Sequence, residues 1–200
     1  MIFTALARIS TVLLACLMLH SCQNCVTGEG KVVQESQAVD SFAVVALNCA
    51  ADVFISQNRM PRTVTVKAQE NILELIEIKL NRGELVIDSK QCFSSDEAIE
   101  VYVNSNVVEG LEINGSGDIH TLTNLRGQKL EIKIDGSGDL TAEVDYRLLT
   151  AGIQGSGDIH LAGKADRMEV SINGSGDVKG PNMTCESTSV SINGSGDAFV

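Results

Sequence analysis

The chain of 200 residues has no tryptophan, only two tyrosines, five phenylalanines and two prolines. A core with so few aromatic side chains must be mainly aliphatic. The hydrophobic content of 44% is that of a globular protein and not of a disordered one. Eighteen glycines beside so little proline indicate many tight turns between short extended segments. We therefore expect one large or two small β-rich domains.

The chain also lacks an excess of positive charge. The formal net charge is −11, and a chain that had lost Arg8 with an export segment would carry −12. Nucleic-acid binding depends on neutralisation of phosphates by lysine and arginine, and no basic cluster overrides the acidic balance. The composition therefore predicts no nucleic-acid partner.

The N-terminal apolar run, residues 9–19, is too short for a stable transmembrane helix and has the length of a signal-peptide core. It follows Arg8 and precedes Leu19-His20-Ser21-Cys22, which resembles a lipobox although His20 departs from that pattern. We predict a lipoprotein signal peptide at residues 1–21, lipidation of Cys22 and a tether at residues 22–27. The alternatives are an ordinary cleaved signal or a transmembrane anchor.

Lipidation of Cys22 would leave Cys25, Cys49, Cys92 and Cys185 in an oxidising compartment, where disulfides are permitted. Four cysteines allow three full pairings, between which the sequence cannot choose. We predict Cys49–Cys92, because both lie in the N-terminal half of the folded part. No zinc-type pair of Cys-x-x-Cys motifs occurs beyond the export segment.

The strongest signal is a motif of the form Ile-x-Gly-Ser-Gly-Asp that occurs five times between residues 109 and 200. Its first glycines are 21, 19, 19 and 20 residues apart. The paired turn glycines are Gly115 and Gly117, Gly136 and Gly138, Gly155 and Gly157, Gly174 and Gly176, and Gly194 and Gly196. Apolar residues stand two and four positions before each first glycine, with mainly polar residues between them. This alternation predicts strands with one buried face.

A period of this length is too short for a βαβ unit, which needs about 30 residues. It suits one coil of a β-helix, in which coils stack about 4.8 Å apart and bury the isoleucine column. We predict an all-β fold with a β-solenoid of about 20-residue coils at residues 109–200; a sandwich of hairpins is the alternative. The glycines would provide positive φ or close approach between coils.

Residues 28–108 also predict strands, at residues 42–47, 52–56, 64–68, 84–88 and 99–103, with one short helix within residues 69–76. No linker separates this part from the repeats. We expect it to lead into the solenoid and cap it. At the other end the sequence stops at Val200 in the middle of a coil, which predicts either a C-terminally incomplete solenoid or a partner that covers its edge.

Ser116, Asp118 and His120 stand at i, i+2 and i+4, which suggests a nucleophilic triad. In an extended chain these side chains are roughly 6.5 to 7 Å apart per step, beyond hydrogen-bond contact. Histidine is also absent from three of the five copies. The pattern therefore predicts a turn and no enzyme.

A row of aspartates ends the five turns: Asp118, Asp139, Asp158, Asp177 and Asp197. Stacked coils would align these like charges, which requires compensation. Ca²⁺ is one solution, but calcium-binding β-helices use repeats of about nine residues that this sequence lacks. We predict that each carboxylate accepts hydrogen bonds from backbone N–H groups of its own or the adjacent turn, and keep the row only as a weak metal candidate with no expected cofactor.

The repeated Ile-Asn-Gly-Ser-Gly-Asp motif resembles the head GIN domain of auto-transporter adhesins, and residues 42–55 and 68–73 are similar to that family's opening segment. The resemblance covers about residues 28–200. It implies a right-handed β-helix on an exported protein of Gram-negative bacteria and supplies no catalytic residues. No separate translocating barrel is present in the sequence.

Two functions follow as hypotheses. The first is a non-enzymatic adhesion or binding module, anchored in the outer membrane by its lipid and contacting proteins or itself, with no evident small-molecule substrate. Sugar stacking is disfavoured because Tyr146 is the only tyrosine in the repeats. The alternative is a structural or envelope-assembly lipoprotein that faces the periplasm.

Overall fold

The computed structural model describes residues 25–59 and 61–200. The predicted export segment and Cys22 lie outside these residues. The strands are β1 (Val26–Thr27), β2 (Val32–Ala38), β3 (Val44–Leu47), β4 (Asp52–Gln57), β5 (Thr63–Gln69), β6 (Ile76–Asn81), β7 (Glu84–Ser89), β8 (Phe93–Ser94), β9 (Glu100–Ser105), β10 (Gly110–Ile113), β11 (Ile119–Thr121), β12 (Leu125–Gly136), β13 (Leu140–Gly155), β14 (Ile159–Gly174), β15 (Val178–Ile192) and β16 (Ala198–Phe199). The short helix α1 spans Glu70–Leu73.

The predicted β-solenoid is confirmed. Segments that precede the Gly-Ser-Gly-Asp turns stack in parallel to form a first wall, in the order β7, β3, β10 and the C-terminal parts of β12 to β15. Segments that follow the turns form a second wall, in the order β9, β4, β11, the first residues of β13 to β15, and β16. Each turn therefore joins the two walls at one edge of the solenoid.

The core is the aliphatic column that the alternation predicts. Ile113, Ile134, Ile153 and Ile172 are at most 1% exposed because each is covered by a coil on either side. Ile192 is 43% exposed because no further coil covers it in the described structure. Burial of each such side chain stabilises the fold by about 1.5–3 kcal/mol.

The N-terminal part supplies coils of its own, in an order that differs from the chain order. The coil β3–β4 lies between the coil β7–β9 and the coil β10–β11. Antiparallel strands then extend both walls, with β6 beside β7, β5 beside β9, and β2 beside β5. These strands and α1 form the cap, and they pair the edges that a bare terminal coil would expose.

The predicted disulfide between Cys49 and Cys92 is wrong. Cys92 is bonded to Cys25, with Cα atoms 4.8 Å apart, and this bridge adjoins the short parallel pair β1–β8. Cys49 is a free thiol that packs into the core at 6% exposure. Burial raises its pKa to about 12, and the charge of Asp88 acts in the same direction. Its position in a stacked turn keeps it from the loop that carries Cys92.

Candidate functional site: the turn edge and the outer wall

The glycines of the repeated turns are required by the close approach of successive coils. A Cβ atom on Gly138 would overlap the carbonyl oxygen of Gly117, and one on Gly157 would overlap that of Gly138. The first glycine of each later turn meets the same constraint, since a Cβ on Gly155 would overlap the carbonyl oxygen of Gly136, but a Cβ on Gly115 would meet no atom closer than 3.5 Å. The glycines of the motif therefore allow the backbone of one coil to pack directly on the backbone of the next.

Each aspartate of the turn row except Asp197 accepts a hydrogen bond from the backbone of the next turn. The Oδ1 atom of Asp118 accepts a hydrogen bond of 2.8 Å from the backbone N–H of Asp139. The same bond, also at 2.8 Å, recurs from Asp158 to Asp139, from Asp177 to Asp158 and from Asp197 to Asp177. The backbone N–H of the turn serine also donates to the first glycine of the preceding turn, as from Ser156 to Gly136 at 2.9 Å. The side chains thus satisfy main-chain donors between coils, as the turn-capping interpretation expects.

Compensation for the like charges in this row comes partly from Lys179. Its Nζ atom lies 2.7 Å from Asp158 Oδ2 and 3.1 Å from Asp177 Oδ2. The lysine hydrogen bond, followed by the N–H of Asp177, lowers the pKa of Asp158. The N–H of Asp197, followed by Lys179, lowers the pKa of Asp177. Among the described residues, no group of three or more His, Cys, Asp or Glu side chains is arranged to hold a metal ion.

The structure contains a sixth copy of the turn, which the sequence analysis did not identify. Leu47-Asn48-Cys49-Ala50-Ala51-Asp52-Val53 occupies the same place, because Leu47 pairs with Ile113 and Val53 pairs with Ile119. Cys49 and Ala51 replace the two glycines. The aspartate and the flanking apolar residues are the signal that could have revealed it.

This sixth turn extends the acidic row beyond the repeats, from Asp118 to Asp52 and on to Glu100. Here only Glu100 is paired with a lysine, since Lys67 Nζ lies 2.8 Å from Glu100 Oε2 and this hydrogen bond lowers the pKa of Glu100. Burial raises the pKa of Asp52, with further contributions from the charges of Asp118 and Glu100. Asp52 is therefore electrostatically strained, whereas Asp158 and Asp177 in the same row are stabilised.

Asp118 and His120, two members of the Ser-Asp-His pattern, make contacts with other parts of the fold. Asp118 is engaged with the backbone of the next coil, and the ring of His120 stacks on Phe54 with centroids 5.6 Å apart. No hydrogen bond joins Ser116, Asp118 and His120 in the part of the chain that the structure describes. Chemistry of the serine-hydrolase type requires such contacts.

Next to the acidic row, the outer face of the second wall carries a row of side chains that the sequence analysis did not identify. Tyr102, Phe54 and His120 stack in successive strands, with the Tyr102 and Phe54 centroids 5.1 Å apart. The row continues through Thr141, His160, Lys179 and Phe199. Tyr146, by contrast, is 3% exposed and donates its hydroxyl to the carbonyl of Val108 at 2.6 Å. The exposed aromatic rings of this row are thus Tyr102 in the N-terminal coils and Phe199 at its C-terminal end.

No helix in the described part of the chain is both long and apolar enough to cross a membrane. Among proteins with curated descriptions, none matches the sequence. Solved structures do resemble the fold. A crystal structure described as a putative adhesin from Bacteroides fragilis has a TM-score of 0.78 at 20% identity, over 86% of this chain and 81% of that one.

A second such structure, described as a putative adhesin from Parabacteroides distasonis, has a TM-score of 0.65 at 21% identity, over 88% of this chain and 84% of that one. A third, described as a putative lipid binding protein from the same organism, has a TM-score of 0.61 at 16% identity, over 88% of this chain and all of that one. At these identities the likeness concerns the fold alone. The sequence itself matches a family model over residues 41–200, and the chain belongs to that family, which is described as "Putative auto-transporter adhesin, head GIN domain".

Proposed function

We propose that this protein is a non-enzymatic binding or adhesion module of the cell envelope, held to the outer membrane by a lipid on Cys22. The observation that carries the proposal is the use of the turn row. Its most conspicuous polar groups, Asp118 to Asp177, are engaged in bonds between coils. They are therefore structural, and contact with a partner falls to the outer faces of the walls.

The shape of the molecule supports this role. A solenoid in which backbone packs on backbone holds its outward side chains in straight, evenly spaced rows, and such extended surfaces suit the binding of macromolecules. The family's description as an adhesin supports a surface or envelope location and a non-enzymatic role. The lipobox-like Leu19-His20-Ser21-Cys22 supports the anchor.

Protease shaving of intact cells tests the outward-facing role. The protein would be detected by antibody, with a soluble periplasmic protein as the control for envelope integrity. Loss of this protein with the control intact is the expected result. Full protection of both would contradict adhesion and favour a structural role on the periplasmic side.

The anchor has a separate test. Cells grown with an alkyne-bearing fatty acid should label the wild-type protein and not the Cys22→Ser variant. Cys16→Ser is the matched control, because Leu13-Leu14-Ala15-Cys16 also resembles a lipobox. Labelling that survives Cys22→Ser would contradict lipidation at Cys22.

A further inference from the structure

Two arginines meet in one cleft beside the N-terminal coils. Arg62 is the last residue of the connection between β4 and β5, and Arg82 lies at the tip of the hairpin between β6 and β7. Both line a cleft of about 450 Å³ together with Asn106 and Val107. Distant parts of the chain thus bring two positive charges together on a protein of formal charge −11.

Among the described residues, neither guanidinium has a carboxylate partner. Every salt bridge within the described residues is made by a lysine. The Nε–H of Arg62 donates to Asn106 Oδ1 at 3.0 Å, which orients the guanidinium and uses one of its five N–H donors. The fork of terminal N–H groups is the part that binds a carboxylate in bidentate fashion.

The backbone at Arg82 adds an independent observation. Its φ of 51° is the only positive φ of a non-glycine residue in the described chain. With Gly83 at φ 87° it forms a two-residue hairpin loop between Asn81 and Glu84. Loops of this type favour asparagine, aspartate or glycine at the first position, so a long cationic side chain stands here against the local preference. Such exceptions to local preference are found at functional sites.

The surroundings of the cleft indicate what it binds. It adjoins a second groove, with which it shares Val44, Arg82 and Gly83. Apolar side chains stand at its margins, with Leu80 37% and Val107 39% exposed. No exposed aromatic ring lines either groove, which disfavours sugar stacking. Glu84 and Glu112 line the second groove, so the negative charges of a ligand fit only in the cleft of Arg62 and Arg82, which disfavours a long polyanion.

We propose that Arg62 and Arg82 bind the carboxylates of an acidic peptide segment that also carries apolar residues, on a partner protein. The inference rests on the proposed binding function and names its contact site and partner chemistry. Arginine forks would pair with Asp or Glu side chains, while Val44, Leu80 and Val107 would contact the apolar ones.

Binding to a peptide array provides the test. Twelve-residue peptides that mix Asp and Glu with Leu and Val would be paired with twins in which Asn and Gln replace the acids. The purified protein should bind the acidic peptides about tenfold more tightly than their twins at low salt, and less tightly as salt is raised. Arg82→Asn should remove most of that difference.

The variants separate binding from folding. Arg82→Asn should raise the melting temperature, because asparagine suits the positive φ, and at the same time weaken peptide binding about tenfold. Arg147→Asn makes the same charge change at an exposed position on β13 and should leave binding unchanged. Equal binding of the acidic peptides and their twins, or equal losses in the two variants, would overturn the proposal.

Vesicles of anionic phospholipid serve as the competing source of negative charge. Binding to vesicles that depends on Arg82, without binding to the acidic peptides, would assign the cleft to a lipid headgroup and overturn the peptide proposal. Because the array uses purified protein, its result is independent of protease shaving. Peptide binding with full protection in cells would keep the site and contradict only the outward-facing role.

Discussion

The coils of residues 109–200 and those of residues 44–105 build the same two walls by different means. In the repeats, glycine pairs let backbone pack on backbone, and each aspartate binds the N–H of the next. In the N-terminal coils, Cys49 and Ala51 occupy the glycine positions and the coil order differs from the chain order. Regular stacking therefore depends on the turn motif, while the irregular coils depend on the cap, its antiparallel strands and one disulfide.

The largest effect is expected for Gly138→Ala in the regular part. The added Cβ would overlap the carbonyl oxygen of Gly117, which belongs to the packed backbone of the preceding turn and cannot move away cheaply. We expect a loss of about 3 kcal/mol or more in the free energy of unfolding, measured by urea titration. Gly115→Ala is the matched control, because its Cβ would find its nearest atoms 3.5 Å away in Asn48, and it should cost less than about 1 kcal/mol. Equal losses would contradict the difference between the two kinds of coil.

In the N-terminal part, the disulfide between Cys25 and Cys92 has the corresponding stabilising role. Replacing Cys25 and Cys92 by serine opens a link across 67 positions of the sequence, and should lower the free energy of unfolding by about 2–4 kcal/mol. A reductant should have a similar effect on the wild type and none on the double variant.

Cys49 provides the contrast, since its buried thiol with a pKa of about 12 should resist alkylation until the protein unfolds. Rapid alkylation of Cys49 in the native state would contradict its burial.

An intermediate effect is expected within the aspartate row. Asp139→Ala removes the acceptor of the Asp158 N–H and should cost about 1.5–3 kcal/mol in the free energy of unfolding. Asp197→Ala is the control, because Asp197 donates its N–H to the row and its carboxylate accepts no hydrogen bond from a further described turn. Similar costs at the two positions would mean that charge, and not the bond between coils, explains the row.

The smallest effect concerns the response to pH. The pKa of Asp158 is lowered in the folded state, so its stabilisation is present above the unfolded value of about 3.9 and is lost as the pH falls through the folded value. Asp158→Asn keeps the acceptor oxygen and should lower stability at pH 7 by under about 1 kcal/mol, with little effect at pH 2. The free energy of unfolding in urea at both pH values measures this.

Asp52 should behave in the opposite way. Its pKa is raised, so its ionised form disfavours the folded state at neutral pH, and this cost disappears as the pH falls. Asp52→Asn should therefore leave stability at pH 7 unchanged or higher. A loss similar to that of Asp158→Asn would contradict the electrostatic difference between the two ends of the row.

Much of the fold follows from sequence pattern because the pattern is local. Alternating apolar residues before Gly136 and Gly155 predict strands, and a constant period predicts coils that stack in register. The predicted strands at residues 42–47, 52–56 and 84–88 overlap β3, β4 and β7. The edge strands β2 and β6 were not predicted, since their exposed and mixed composition has no clear period.

The sites were less predictable. The aspartate row was identified because it repeats, but its extension through Asp52 to Glu100 was not, because the glycines are replaced and the strands come from distant segments. The cleft of Arg62 and Arg82 joins the β4–β5 connection and the β6–β7 hairpin, whose proximity no local pattern encodes.

The sequence by itself thus determined the regular coils, the buried isoleucine column and the positions of the turns, because each depends on residues a fixed number of positions apart. Only the tertiary structure decided which cysteine pairs with Cys92 and that β3 lies between β7 and β10. It also decided that two arginines share a cleft. These features depend on how non-repeating segments pack, and contacts between distant segments are set by the shape of the whole fold and not by any local spacing.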